Sequence, residues 1–374
     1  MGRRQLINAF VAVGSLALMA GACSNDETPT VQSLPVVLEQ LLATPSAGGE
    51  RTKGDDHFEV WICHVPLDST AAMYGGLPLR LPLTPKAVTE VVNALVPAYF
   101  DALSHGRYRP VFTPGGEVTI SAADEPQACV DGAIAGAGAK ADAVLVVADA
   151  EHGEDQPGGF GSGGDGCPTA GACSVAATRR VAYVGASDFH PDWGNEPPMD
   201  LVEHEIGHSL GWVHSGIDEA GRYLSGLDLM SNSAAPRDVD PTRRDAPGTL
   251  AINLFLAGWL PADDVVVATG DGTLKLSASS GDEGARLLVI DRGDGSLITV
   301  ELLKADGFDD HLPADGIAVH ELRIAHGALS SVTPLVGDAP YMNLLQPGDE
   351  LRVGDWTVTV SSGWTVSAAH APVT

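Results

Sequence analysis

The stretch HEIGHSLGWVH, residues 204–214, determines which fold and which site the sequence predicts. His204 and His208 are four residues apart, so on a helix both imidazoles project from the same side and can reach one ion. Gly211 stands where such a helix should end, because glycine accepts the left-handed backbone conformation that turns the chain sharply. We therefore predict that His214 swings back toward the helix and that His204, His208 and His214 bind one zinc ion.

The other residues of this stretch indicate catalysis rather than a structural metal. Three histidine ligands leave one tetrahedral position of zinc open to water, which distinguishes a catalytic from a structural site. Glu205 is not needed as a ligand, and it can accept the proton of the attacking water while zinc polarises a carbonyl group. A helix that merely carries polar residues is the alternative, but five fixed residues at these intervals rarely arise by chance. We predict that Glu205 is the general base.

The start of this helix is predicted near Asp200, which follows Pro197 and Pro198. Glu203 comes three residues after Asp200, and this spacing is that of a capping box with Asp200 in the cap position. The histidines would therefore lie on a helix with its own start signal.

The pattern HExxHxxGxxH formed by these residues resembles the zinc signature of the metzincin metallopeptidases. The segments SHGRY (104–108), INLFLAGWLP (252–261) and GFDDHLPADGIAVHELR (307–323) are similar to stretches of gametolysin-like and related secreted peptidases. The resemblance implies a zinc endopeptidase whose polypeptide substrate lies extended along an edge strand near residues 180–186. It also implies a methionine turn beneath the zinc, for which Met230 in GLDLMSNS is the candidate. Ordinary core packing is the alternative role for Met230.

One position departs from the pattern of that family. Some metzincins carry a tyrosine two residues after the turn methionine, where this chain has Asn232. Tyr223 is a remote substitute in the sequence, and we interpret it as structural. Among the other histidines, we interpret His64 and His152 as surface or packing residues, and His190 as a candidate substrate contact.

Alternating strands and helices indicate an α/β (α+β) catalytic domain with a twisted sheet over residues 55–261. A long helix is predicted from Pro85 to Gly106, and Pro97 is expected to kink or split it. Short segments separated by Gly-Asp turns predict an all-β, sandwich-like domain over residues 262–374. The strands predicted in the first domain are HFEVWICHVPL (57–67), EVTISA (117–122), ADAVLVVAD (141–149) and RRVAYVGAS (179–187).

Residues 151–173 are so rich in glycine and acid that we predict an irregular, solvated loop. Its carboxylates could bind calcium, but their spacing matches no established calcium loop. These carboxylates are Glu151, Glu154, Asp155 and Asp165.

Residues 1–22 have the form of a secretory signal, with Arg3 and Arg4 followed by an apolar run and small residues. Cys23 directly after them resembles a lipoprotein box, although Ala20 stands where leucine is usual. We expect export, lipid anchoring at Cys23 and a flexible linker over residues 23–54. Free secretion is the alternative.

Four further cysteines make an even number, which suggests disulfides in an exported chain and allows three connectivities. Cys167 and Cys173 are close in the sequence, which favours their pairing. Cys63 would then pair with Cys129.

The formal net charge of −28 repels nucleic acid and anionic headgroups. We therefore expect no nucleic-acid partner, and membrane contact only through the lipid anchor. The sequence predicts an exported zinc endopeptidase that acts on polypeptides. Two alternatives stay open, namely a surface binding or adhesion lipoprotein with a vestigial metal site and a zinc hydrolase of a nonpeptide substrate.

Overall fold

The computed structural model describes Leu38 and residues 52–74, 80–153, 158–163, 179–194, 196–217, 222–268, 270–325, 328–336 and 343–371. The expected signal peptide, Cys23 and nearly all of the linker lie outside these residues. Glu154, Asp155, Asp165, Cys167 and Cys173 also lie outside them, so the loop calcium site and the second disulfide stay predictions. Across the described ranges, no helix has both the length and the apolar character needed to cross a membrane.

A five-stranded sheet forms the centre of the amino-terminal half of the described chain. Its strands are β1 (Gly54–His64), β2 (Tyr108–Thr119), β3 (Ala143–Ala148), β4 (Gly159–Ser162) and β5 (Arg180–Val184). Their order is β2-β1-β3-β5-β4, with β4 antiparallel to β5 and the other pairs parallel. Helices α1 (Pro85–Leu103) and α2 (Pro126–Gly136) connect the first three strands. Parallel strands are usually covered on both faces, and every residue of β3 is buried.

Strand β2 begins nine residues earlier than its sequence predicts, at Tyr108 rather than at Glu117. Proline and glycine disfavour strand formation. Pro110, Pro114 and the two glycines after Pro114 therefore made this strand difficult to predict from the sequence. In the sheet, β2 is the outermost strand of the described residues on its side, where proline is tolerated. The two glycines face Trp61, and a side chain on either would overlap its ring.

Helix α1 continues through Pro97, so the expectation of a split at this proline is wrong. Val92, Val96 and Phe100 of the helix are fully buried against the sheet. Their packing outweighs the cost of an interior proline, which is about 3 kcal/mol.

The carboxy-terminal part of the described chain consists mainly of strands. They are β6 (Val265–Ala268), β7 (Gly272–Lys275), β8 (Leu287–Asp291), β9 (Ser296–Leu303), β10 (Gly316–Ala325), β11 (Ala328–Pro334), β12 (Glu350–Val353), β13 (Trp356–Ser361) and β14 (Thr365–His370). One sheet has the order β11-β10-β9-β8-β6 and the other the order β12-β13-β14-β7. Val300 of β9 and Val358 of β13 belong to the same buried cluster, so the two sheets share apolar packing.

Three helices lie between these parts, namely α3 (Asp200–Ser209), α4 (Ala235–Val239) and α5 (Ala251–Leu256). One apolar cluster contains Phe100 and Trp259 together with Leu297 and Val332, so residues on both sides of position 261 pack in the same core. The prediction of a mixed α and β structure is confirmed in this coarse form.

A disulfide and an ion pair join elements of the amino-terminal half of the described chain. Cys63 of β1 and Cys129 of α2 form a disulfide, with Cα atoms 5.5 Å apart, so this predicted pairing is confirmed. Asp56 of β1 forms an ion pair with Arg180 of β5, and the two side chains are only 3% and 4% exposed. The Tyr108 hydroxyl also donates to Asp56, at 2.6 Å. The link between β1 and β5 is therefore buried and charged.

Replacing Asp56 by Asn should lower the free energy of unfolding by about 3–5 kcal/mol, because Arg180 would stay buried without a counter-charge. Urea titration followed by tryptophan fluorescence measures the change. Asp55→Asn is the matched control, since Asp55 is the exposed neighbour in the same strand. Equal unfolding midpoints for the two variants would contradict a structural role for the ion pair.

Candidate metal centre

Helix α3 carries the first two histidines, but its start differs from the prediction. Met199 occupies the cap position, and its side chain makes no capping hydrogen bond. The Asp200 carboxylate instead pairs with Arg237, and the Glu203 carboxylate accepts a hydrogen bond from the Ala246 amide at 2.9 Å. The predicted capping box is therefore wrong, because residues distant in the sequence engage both carboxylates.

The chain turns back directly after this helix. α3 ends at Ser209, and Gly211 adopts the left-handed conformation with a φ of 92°. The Trp212 amide donates to the Gly207 carbonyl at 3.1 Å, which closes the turn. His214 is thereby brought to the side of the helix from which the first two histidines project.

The imidazoles of His204, His208 and His214 converge, and one ligand nitrogen from each lies within 4.8 Å of the other two. The Nε2 atoms of His208 and His214 are 2.7 Å apart. Nδ1 of His204 faces the Leu229 carbonyl oxygen at 2.7 Å, and Nδ1 of His208 faces the Trp212 carbonyl oxygen at 2.8 Å. A carbonyl oxygen only accepts, so these two rings carry the proton on Nδ1 and keep the Nε2 lone pair. The three histidines could hold a metal ion.

The charge state of the three rings also suits a metal. Burial lowers the pKa of His204 well below its usual value, that of His208 to about 4 and that of His214 to about 3. The rings are therefore neutral at physiological pH, which is the form in which imidazole binds a metal. Imidazole nitrogen suits zinc, copper, iron and nickel better than magnesium or calcium.

Glu205 lies next to the first histidine with its carboxylate buried. The residue is 3% exposed, and its Oε2 has no hydrogen-bond partner among the described residues. Burial raises the pKa of this carboxyl well above its usual value, and a dication at the neighbouring imidazoles would act in the opposite direction. A buried carboxylate without a partner, beside groups that could bind a metal, is a candidate for proton transfer.

The edge strand beside the site is not the one that the family resemblance implies. β5 lies inside the sheet, between β3 and β4, so the expected edge strand near residues 180–186 is wrong. β4 is the outermost strand of the described sheet on this side, and it falls within the segment predicted to be an irregular loop. Its sequence GFGS has only four residues, two of them glycine, so strand propensity alone did not reveal it.

Close contact with α3 explains the two glycines of β4. A Cβ atom on Gly161 would lie 2.5 Å from the His208 Cβ and closer still to the Glu205 carbonyl oxygen. A Cβ atom on Gly159 would overlap the Tyr183 carbonyl oxygen of β5 and would also lie 2.8 Å from the Glu205 Oε1. Only glycine lets the strand pass the helix at this distance. Two glycines on the same side of a strand were the one sequence signal for this contact.

Met230 lies against α3, and it is fully buried. A Cβ atom on Gly207 of the helix would lie 2.5 Å from the Met230 Sδ. The Met230 carbonyl accepts a hydrogen bond from the Ser215 amide at 2.9 Å, which joins this turn to the residue after the third histidine. Met230 is thus a core side chain in direct contact with the helix of the site.

Tyr223 lies at the site, although the sequence gave only a structural interpretation for it. Its hydroxyl is 3.1 Å from Nε2 of His214, and an antiparallel bridge with Ile217 holds its segment there. Burial, and then the Glu205 carboxylate, raise the pKa of Tyr223 to about 12. The hydroxyl therefore keeps its proton at neutral pH. No local pattern in the sequence indicated this position.

The other polar residues considered from the sequence do not belong to the three-histidine group. The Asn232 side chain donates a hydrogen bond to Asp238, and the His190 Nδ1 accepts one from the Asp192 amide. The His64 ring lies between the carboxylates of Asp149 and Glu117. The His152 ring stacks on that of Tyr183. Their contacts are with neighbouring protein groups.

No family model matches the chain, and a search of curated proteins finds no match. The functional inference therefore depends on the geometry of the site.

Gly161→Ala should move α3 away from β4 and weaken metal binding, because the new methyl group would overlap the backbone of the helix. We expect a loss of about 1–3 kcal/mol in the free energy of unfolding and a lower metal affinity, measured by competition with a chromophoric chelator. Gly163→Ala is the matched control, because the nearest atom to a Cβ there is the Ser209 carbonyl oxygen at 3.7 Å. If both variants bind metal with equal affinity, the contact between β4 and α3 has no role in the site.

Proposed function

We propose that the protein is an exported, zinc-dependent endopeptidase of the metzincin type. The main support is the convergence of three imidazoles beside the buried carboxylate of Glu205, whose Oε2 has no partner among the described residues. Three neutral imidazoles are a ligand set that fits catalytic zinc. When bound, zinc would polarise the carbonyl of a peptide bond and acidify a water molecule.

The residues around the centre would each have a separate task. The Leu229 and Trp212 carbonyls orient the rings of His204 and His208, which fixes the nitrogen that each presents to the metal. The Glu205 carboxylate would accept the proton of the attacking water and then deliver it to the leaving amine.

An extended polypeptide is the proposed substrate. β4 is the outermost described strand on this side of the sheet, and its backbone at Gly159 lies beside the Glu205 carboxylate. A peptide added next to β4 would be held mainly by main-chain hydrogen bonds, which is a common mode of peptide recognition. This position would bring a peptide bond within reach of Glu205 and the three histidines.

The proposal also includes the finer architecture and the location of the protein. Residues 55–261 would form the metzincin-like catalytic domain, and residues 262–374 would form a sandwich-like β domain. The disulfide between Cys63 and Cys129 supports an oxidising compartment, because disulfides form and persist there. Export with a lipid anchor at Cys23 therefore stays part of the proposal.

Glu205→Gln should reduce cleavage of an unfolded protein such as casein by at least about 100-fold, because the general base is lost. The variant should still bind one zinc, since Glu205 is not a ligand. Glu203→Gln is the matched control, because Glu203 is also buried on α3 but its carboxylate contacts the Ala246 amide. We expect this control to cleave casein at nearly the wild-type rate.

The measurement uses the chain without residues 1–22, with and without a chelator, and zinc content is determined in parallel. Unchanged casein cleavage by Glu205→Gln would exclude the proposed mechanism. A wild-type protein that binds zinc but cleaves no protein substrate would favour the binding lipoprotein or the nonpeptide hydrolase.

A further inference from the structure

A cavity of about 220 Å³ lies between the end of α1 and the turn that precedes β10. None of the three histidines of the metal centre lines it. Its lining combines apolar residues such as Leu103, Leu254 and Phe308 with polar ones, namely Thr249, Ser279, Ser280, Asp306 and Asp309. Among the described residues, no Lys, Arg or His side chain lines the cavity. The wall therefore offers oxygen atoms and negative charge.

Asp309 is the buried carboxylate of this wall, with 7% of the residue exposed. Its Oδ1 accepts a hydrogen bond from the Gly248 amide at 2.8 Å, whereas no described residue donates to its Oδ2. Glu301, on which Asp309 acts electrostatically, is 1% exposed, and its Oε1 also has no partner in the described part of the chain. Two buried carboxyl groups near the cavity thus each have an oxygen without a hydrogen-bond donor.

Acidic groups outnumber cationic groups around Asp309. Asp228 and Asp306 both act on it electrostatically, and Asp228 and Asp309 act on Glu301. Arg243 opposes them at Asp309, but the Asp310 carboxylate already engages its guanidinium group. Burial first, and these carboxylates second, raise the pKa of Asp309 to about 7 and that of Glu301 to about 8. Among the described residues, the carboxylates around Asp309 thus outnumber the cations that act on it.

We propose that the cavity binds a calcium ion through the Oδ2 atom of Asp309, with Asp306 and nearby hydroxyl groups as further oxygen donors. Calcium takes six to eight oxygen ligands in flexible geometry and accepts water among them. A volume of about 220 Å³ accommodates an ion with several water molecules, each of which occupies roughly 30 Å³. Magnesium fits less well, because it requires a compact and nearly ideal octahedron.

Terbium, a luminescent substitute for calcium, tests the site in the wild-type chain without residues 1–22. The Tyr99 ring lies 4.7 Å from that of Phe308, which lines the cavity, so excitation of tyrosine should sensitise terbium emission. We expect saturable emission that calcium displaces at about millimolar concentration or below. Calcium should also raise the thermal midpoint more than magnesium does. A lack of saturable, calcium-displaceable emission would overturn the proposal.

Two variants assign this binding to the cavity. Asp309→Asn removes the buried charge, and Ser280→Lys places a tethered ammonium group at an exposed position of the wall. Each should weaken calcium affinity by about tenfold or more, whereas Asp263→Asn, an exposed acid outside the cavity, should leave the affinity unchanged. If Asp309→Asn does not fold, the calcium affinity of Ser280→Lys tests the assignment by itself. Wild-type calcium affinity in Ser280→Lys would overturn the assignment to this cavity.

The result of the terbium and calcium experiment does not depend on whether the protein is a peptidase. Imidazole groups are poor ligands for calcium, so emission displaced by calcium does not report on the three histidines. Casein cleavage can therefore fail while calcium binding succeeds, and the reverse can also occur.

Discussion

The buried carboxylate of Asp228 connects the segments that form the candidate metal centre. It is fully buried, and it accepts hydrogen bonds from the Ser215 hydroxyl at 2.5 Å and the Thr249 hydroxyl at 2.8 Å. Ser215 directly follows the third histidine, and the turn of Met230 directly follows Asp228. Burial raises the pKa of this carboxyl, and the two hydroxyl groups oppose the shift. The side chain thus offsets part of its burial cost through contacts that fix the spacing of both turns.

The β strands belong to the same framework. Ser215 forms a bridge with Val332 of β11, and Glu301 of β9 accepts a hydrogen bond from the Ala251 amide at 2.9 Å. Ala251 is the first residue of α5, where a helix leaves its amides without internal partners, so a buried carboxylate satisfies a group that would otherwise be unpaired. Through these contacts, strands from the carboxy-terminal region support the turn that follows the third histidine. The site therefore depends on residues well beyond its sequence motif.

The sequence predicted features that depend on residues close together in the chain. The four-residue spacing of His204 and His208 and the left-handed turn at Gly211 follow from helix geometry, and the structure contains both. The capping box failed because the partners of Asp200 and Glu203 come from residues 233–246, which no local spacing reveals. β4 was missed for a related reason, since its glycines are explained by contacts with α3 and β5, which are distant from it in the sequence. Local patterns thus indicated the three histidines that could hold a metal ion but not the strand next to them.

Gly207 shows how the fold constrains a position that the pattern HExxHxxGxxH leaves open. A Cβ atom there would lie 2.5 Å from the Met230 Sδ and 3.0 Å from the Trp212 ring. Both of these side chains are buried in the core, so neither can move aside without disturbing the packing around α3. A Cβ atom on Gly161 of β4 would likewise overlap the Glu205 carbonyl oxygen of this helix and lie 2.5 Å from the His208 Cβ. Glycine at both contacts lets the turn at Met230 and strand β4 approach one short helix, and this double contact holds the histidines in place.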